Sequence, residues 1–284
     1  MKKLFFIVSI ALATTMFSCS NENEPEETAS ANVVTNTAIG MDNLQSRIAE
    51  ISDSMQVIAP AAQTRGFWKW LKVFYADAAG AVLGTFYGGP IGTGIGAACA
   101  SALCAAQNDY TIDNEKAFSE LVDFKQIQIS QADSVGLYHN LILQEINNED
   151  FKSLSIDSVQ EKVAICAKAV TKANKISIND SDIIKNTTEN TALNTIKNNI
   201  SRINDAQDSK EMNAILCELF PKHTKELNIV KEYIDGLIKI NESQRSKYTE
   251  LVLTETEHAN ITDEMKSSVK SGILVGNASS QLWK

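Results

Sequence analysis

The sequence predicts an all-α protein, a glycine-rich apolar helical hairpin followed by a helical bundle. Three observations carry this. Apolar residues recur at three- and four-residue spacing through most of the chain, alternating strand-like runs are few, and only 4 of the 284 residues are proline. At 44% hydrophobic and 21% charged, the chain has ample material for a core and is neither disordered nor collagen-like in composition. The formal net charge is −9 and only four arginines occur, Arg47, Arg65, Arg202 and Arg245. That balance argues against a nucleic-acid partner, because phosphate contacts need clustered Lys and Arg.

Residues 1–18 read as a signal peptide. Met1-Lys2-Lys3 gives a positive start, and Leu4 to Phe17 is an apolar run broken only by Ser and Thr. The run ends in Met16-Phe17-Ser18-Cys19, which resembles a bacterial lipobox, where Cys19 takes lipid on its thiol and becomes the first residue of the mature chain. The acidic stretch from Ser20 to Glu27 is similar to export signals that carry lipoproteins to the outer face of the outer membrane in Bacteroidetes. Loss of residues 1–18 removes Lys2 and Lys3, which takes the charge from −9 to −11. So acidic a body gains nothing from charge attraction to anionic lipid, and any membrane activity must come from apolar burial.

Residues 19–65 read as a lipid-anchored acidic tether and propeptide with one helical pattern at Leu44, Ile48, Ile51, Met55 and Ile58. Pro60 to Gly66 reads as an exposed break, and Arg65 is the only basic residue between Arg47 and Lys69, so Arg65-Gly66 is a single clear site for an arginine-specific protease.

The segment 66–108 carries the strongest signal. Phe67, Trp68 and Trp70 are interleaved with Lys69 and Lys72, a mixture suited to a membrane interface. From Tyr75 to Ala106 the only charge is Asp77. Seven of the 13 glycines fall between Gly80 and Gly96, and Ala76, Gly80, Gly84, Gly88, Gly92, Gly96, Ala100 and Cys104 form an unbroken series four residues apart. On a helix such a series carves a groove in which a second helix approaches backbone to backbone. Each glycine costs about 0.8–1 kcal/mol against alanine in a helix interior, so five in register imply a purpose. Two purposes are open, a glycine zipper that oligomerises in a membrane or a hairpin packed in a soluble core. Pro90 after Gly88-Gly89 predicts a kink or reversal, with arms at 67–87 and 91–106. Asp77 near a bilayer centre would cost about 2.5–3.5 kcal/mol, so it should face a pore, a partner or the headgroups.

Residues 109–284 read as a bundle of about six helices with breaks near Asn147, Asn174, Asp208, Pro221 and Asn260. Core faces are expected at Val159, Val163, Cys166 and Val170; at Leu193, Ile196, Ile200 and Ile203; and at Leu227, Val230, Ile234 and Leu237. Cys99, Cys104, Cys166 and Cys217 allow three disulfide pairings, with Cys99 and Cys104 poor partners for each other on different faces of one helix. No catalytic, metal or cofactor constellation stands out, and His139 is expected to pack between helices. Asp53-Ser54-Met55, Asp133-Ser134-Val135 and Asp157-Ser158-Val159 match a short O-glycosylation sequon of exported Bacteroidetes proteins.

Taken together, the lipobox at Cys19, the acidic tether, the lone Arg65 and the glycine stripe that starts behind it resemble the Bacteroidales lipoprotein toxins activated by proteolysis. The resemblance implies an outer-membrane-anchored, surface-exposed antimicrobial precursor, cut after Arg65 by a clostripain-family cysteine protease. The cleaved fragment would act on a target-cell membrane or surface receptor, with homo-oligomers formed through Gly80, Gly84, Gly88, Gly92 and Gly96. It implies no enzymatic activity and no cofactor. The competing class is a non-toxic surface lipoprotein, an adhesin, assembly factor or immunity protein, whose hairpin is an ordinary packed element.

Overall fold

The reversal expected at Gly88-Gly89-Pro90 is built on Gly89, whose φ of 61° and ψ of −155° lie in a region open essentially to glycine. Pro90 then starts the second arm, where its missing N–H costs nothing and its fixed φ suits a helix start. The computed structural model describes residues 27–55, 65–106, 112, 133–146 and 153–283. Among them 83% are helical and none lies in a strand. One isolated antiparallel bridge pairs Ile112 with Trp283.

Helix α1 is Glu27–Ser54, and α2, Arg65–Ala105, contains both arms of the hairpin. Next come α3 (Asp133–Ile146), α4 (Val159–Ala173), α5 (Asp180–Lys185), α6 (Thr191–Asn198) and α7 (Ile200–Asp205). The chain ends its described part with α8 (Ser209–Leu219), α9 (Thr224–Leu237), α10 (Glu242–His258) and α11 (Asp263–Leu282).

Local chemistry explains the boundaries. Asn190 Oδ1 accepts from the amides of Ala192 and Leu193 to start α6, Asp208 Oδ1 accepts from Glu211 N at 2.7 Å to start α8, and Thr262 Oγ1 accepts from Met265 N to start α11. A 3₁₀ turn, Pro221–His223, separates α8 from α9. The breaks expected near Asn174, Asp208, Pro221 and Asn260 fall between helices, while Asn147 lies outside the described residues, directly after the last residue of α3. The region divides further than expected, because the stretch 174–208 contains three short helices, α5 to α7, and a break at 238–241 separates α9 from α10.

The hairpin lies inside the fold. Phe74, Tyr75, Val82 and Leu103 from α2 share one apolar core with Ile142, Val163, Leu193, Leu216, Tyr233, Val252 and Ile273 from the surrounding helices. The expected core positions on α4, α6, α7 and α9 are all buried. Burial of each such side chain contributes about 1.5–3 kcal/mol. Helix α2 is packed most extensively by α11, then by α3 and α4, and α3 and α11 also pack on each other.

Candidate functional site: the hairpin and its buried polar anchor

The glycine stripe pairs with itself. The two arms are mirror-related about Gly88, so Gly84 meets Gly92 and Gly80 meets Gly96. A β-carbon on Gly92 would lie 2.6 Å from the carbonyl oxygen of Gly84, and one on Gly80 would lie 2.8 Å from that of Gly96. Backbones this close leave no space for any side chain at these four positions, which is the reason for the period of four. Thr85 and Thr93 add a hydroxyl pair at 2.7 Å across the same seam.

A second small-residue face, not singled out in the sequence, closes the first arm from outside. Ser268, Gly272, Gly276 and Ser279 of α11 run antiparallel to it. Ser268 Oγ donates to Val82 O at 3.4 Å, a β-carbon on Gly272 would sit 3.2 Å from Ala78 O, and one on Gly276 would meet Ala78 and Phe74. The signal was present as a spacing of four, four and three, but it is short and diluted by polar neighbours.

Asp77, the one charge of the hairpin between Tyr75 and Ala106, is wholly buried. His139 Nε2 lies 3.0 Å from its Oδ1. Ser279 Oγ donates to Oδ2, and Trp283 Nε1 donates to the same oxygen at 3.0 Å. Both carboxyl oxygens therefore have hydrogen-bond partners, one on α3 and the others at the end of α11, which offsets the desolvation cost of burying the group. The other ring nitrogen of His139 lies 2.8 Å from Asn140 Oδ1, while Asn140 Nδ2 donates to Ala278 O at 3.1 Å. Trp70 Nε1 donates to the Trp283 carbonyl at 3.1 Å. Helices α2, α3 and α11 are thus tied at one point.

This cluster holds and does not have the geometry of nucleophilic catalysis. Ser101 Oγ is 3.4 Å from His139, but on Nε2, the nitrogen that already faces Asp77. A Ser-His-Asp triad needs the hydroxyl and the carboxylate on opposite ring nitrogens. Ser101 also donates to Ala97 O at 2.8 Å. Two shallow surface hollows, one lined by Arg202, Asp205, Glu211 and Glu218 and the other by Ser153, Ser158, Glu161 and Ile165, contain none of the cluster residues. Among the described residues no group of three or more His, Cys, Asp or Glu could hold a metal.

At the tip of the hairpin Asn186 Oδ1 points at the bare faces of Gly88 and Gly92, close enough that a β-carbon on Gly92 would be 2.7 Å away and one on Gly88 would collide. The Phe86 ring packs on His223 with centroids 4.1 Å apart, and Tyr87 meets the same imidazole edge-on at 6.1 Å. Burial against these rings lowers the pKa of His223, and burial raises that of Glu226 on the adjoining helix. Tyr87 is 44% exposed, so the tip of the hairpin reaches solvent.

The remaining sequence expectations divide as follows. Cys19 lies outside the described residues, as do residues 56–64. Arg65 and Gly66 open α2, and Phe67 and Trp68 follow in its first turn. Trp70 is half-buried and occupied with Trp283. No disulfide joins Cys99, Cys104, Cys166 and Cys217. Of the three sequon serines Ser54 is exposed and Ser134 is buried. His139 packs between helices as expected, but its partner Asp77 was not legible. No family model, no curated protein and no solved structure matches the chain.

Proposed function

We propose that the protein is a surface lipoprotein toxin of bacteriocin type, which keeps a membrane-active hairpin dry within its own fold and delivers it to a target bacterial membrane after cleavage at Arg65-Gly66. One observation carries the reading. The stretch Trp70–Ala105 is apolar enough for a membrane and is reversed at Gly89 into two arms, each of which at 1.5 Å per residue comes close to the roughly 30 Å of a hydrocarbon core; 78% of its most apolar window is buried, and its only charges are Lys72 and Asp77 near its start. A helix pair that carries no charge beyond Asp77 can exchange most of its protein neighbours for lipid, with Asp77, near the start of the first arm, held at the headgroups or by a partner.

In this reading the lipid on Cys19 holds the precursor on the outer membrane. A clostripain-like protease cuts at the first residue of α2, where the opening turn of a helix has unsatisfied amides and unwinds most cheaply. The new terminus lies just before Phe67 and Trp68, and the hairpin is then free to leave α11 for a target membrane. The reading assigns no enzymatic step and no cofactor. Spot-overlay assays test it: the wild type should inhibit sensitive strains only when a clostripain-type protease is present, and Arg65→Ala should remain intact and inactive. Inhibition by Arg65→Ala at wild-type titre contradicts the role of cleavage.

A second reading has an observation in its favour. Gly80, Gly84, Gly92 and Gly96 are consumed within the hairpin, which is what a purely structural element requires. A non-toxic adhesin, assembly or immunity lipoprotein would give no inhibition zone under any protease condition, and an immunity protein would protect its producer.

A further inference from the structure

Helix α1 lies on the far side of the proposed cleavage site from the rest of the fold, yet it is seated like a core element. Met41, Leu44 and Ile48 are 1%, 2% and 0% exposed, packed on α9 and α10. Gly40 rests against the backbone of Asn260, where a β-carbon would be 2.9 Å from the carbonyl carbon and would strike the oxygen. Twelve residues on, Ser52 is buried beside Gly236 and Tyr248. The rim carries complementary charge, with Asp42 paired to Lys225 of α9 and Arg47 3.3 Å from Glu255 of α10.

We infer that the α9–α10 surface is a docking site for α1 as a separate chain, so that the two products of cleavage at Arg65 stay bound and the cut by itself does not release residues 66–284 from the lipidated segment. The setting rests on the reading of Arg65-Gly66 as the processing site; the docking itself does not. Cutting turns an intramolecular contact into a bimolecular one and removes the effective concentration supplied by residues 56–64, on the order of millimolar for a short linker. The contacts of α1 are untouched, because none of them passes through the cut bond. Cleavage then frees the start of the hairpin while the body stays on the producing cell until α1 dissociates, which makes processing and release two separate events.

The test uses the full-length chain with Cys19→Ser, so that no lipid is attached, and with residues 61–64 replaced by the recognition sequence of a site-specific protease. After complete cutting, both fragments are expected to co-elute in size-exclusion chromatography at micromolar protein, and the amides of α1 are expected to keep their protection from hydrogen exchange. Separation into two peaks, or loss of that protection, overturns the inference. Gly40→Leu forces α1 off Asn260 and should raise the dissociation constant of the cut pair about tenfold or more. A cut Gly40→Leu protein that holds together as tightly as the parent shows that the seat described is not what binds, and overturns the inference as well. Failure of a clostripain-type protease to cut the unmodified chain at Arg65 would remove the processing reading and leave these results standing.

Discussion

Gly84 and Gly92 face each other across the hairpin with no room for a side chain on either, since a β-carbon on Gly92 would lie 2.6 Å from the carbonyl oxygen of Gly84. The stripe is therefore a closed seam in this fold. Gly84→Ala should destabilise the protein by about 1–3 kcal/mol through overpacking against backbone that cannot yield. Tyr87→Ala, at the exposed tip, should stay within about 0.5 kcal/mol of the parent. Urea unfolding of both variants checks the contrast, and equal midpoints would mean that the seam is not close-packed.

The anchor at Asp77 makes a second demand on stability. Asp77→Ala leaves His139, Ser279 and Trp283 without their common partner, and should cost about 3 kcal/mol, in the range found when one partner of a buried pair is removed. Trp283→Phe removes the indole donor together with part of the ring volume at a buried position, for about 1–3 kcal/mol. In the Asp77→Ala background the Trp283→Phe change should cost about 1 kcal/mol less than in the wild type, and a double-mutant cycle with no coupling would separate the two residues energetically.

These two relationships differ in how far the sequence announced them. A period of four over five glycines is a pattern along one helix, so its face, and the reversal at Gly89-Pro90, could be read directly. The closing of that face by the second arm could not, because a zipper between chains and a hairpin within one chain require the same residues. Asp77, His139, Ser279 and Trp283 are separated by 62 and 202 or more positions, and nothing local marks an Asp as the partner of a distant His or Trp. Asn186 was equally hidden: it follows a six-residue helix, and its role depends on the bare backbone of Gly88 and Gly92 reaching it in space. Short helices such as α5 and α7 offer too few turns for a periodic signal, which is why the count of helices in the bundle was low.

The hairpin tip should respond to mild acid. His223 is held below its ordinary pKa by burial against Phe86 and Tyr87, so its neutral form is favoured in the folded state. The unfolded chain then takes up the proton first, and the contribution of His223 to stability falls as pH drops below the ordinary histidine range toward the folded-state value. Glu226, raised by burial, acts with the opposite sign, stabilising as pH falls from its folded value toward its ordinary one. Thermal unfolding between neutral and mildly acidic pH should show His223→Gln losing less stability than the wild type just below the histidine range. Parallel curves would show that His223 does not titrate differently on folding.

In the proposed function the hairpin is stored in this fold and acts on membranes only after the chain is cut. Dye release from liposomes made of outer-membrane lipids measures it most directly, with the full-length protein compared before and after cleavage at Arg65. Negligible release is expected from the intact chain and from Arg65→Ala, rapid release once the wild type is cut, and loss of that release in Gly84→Leu. Release by the intact chain equal to that of the cut one, or none by the cut chain, would contradict it.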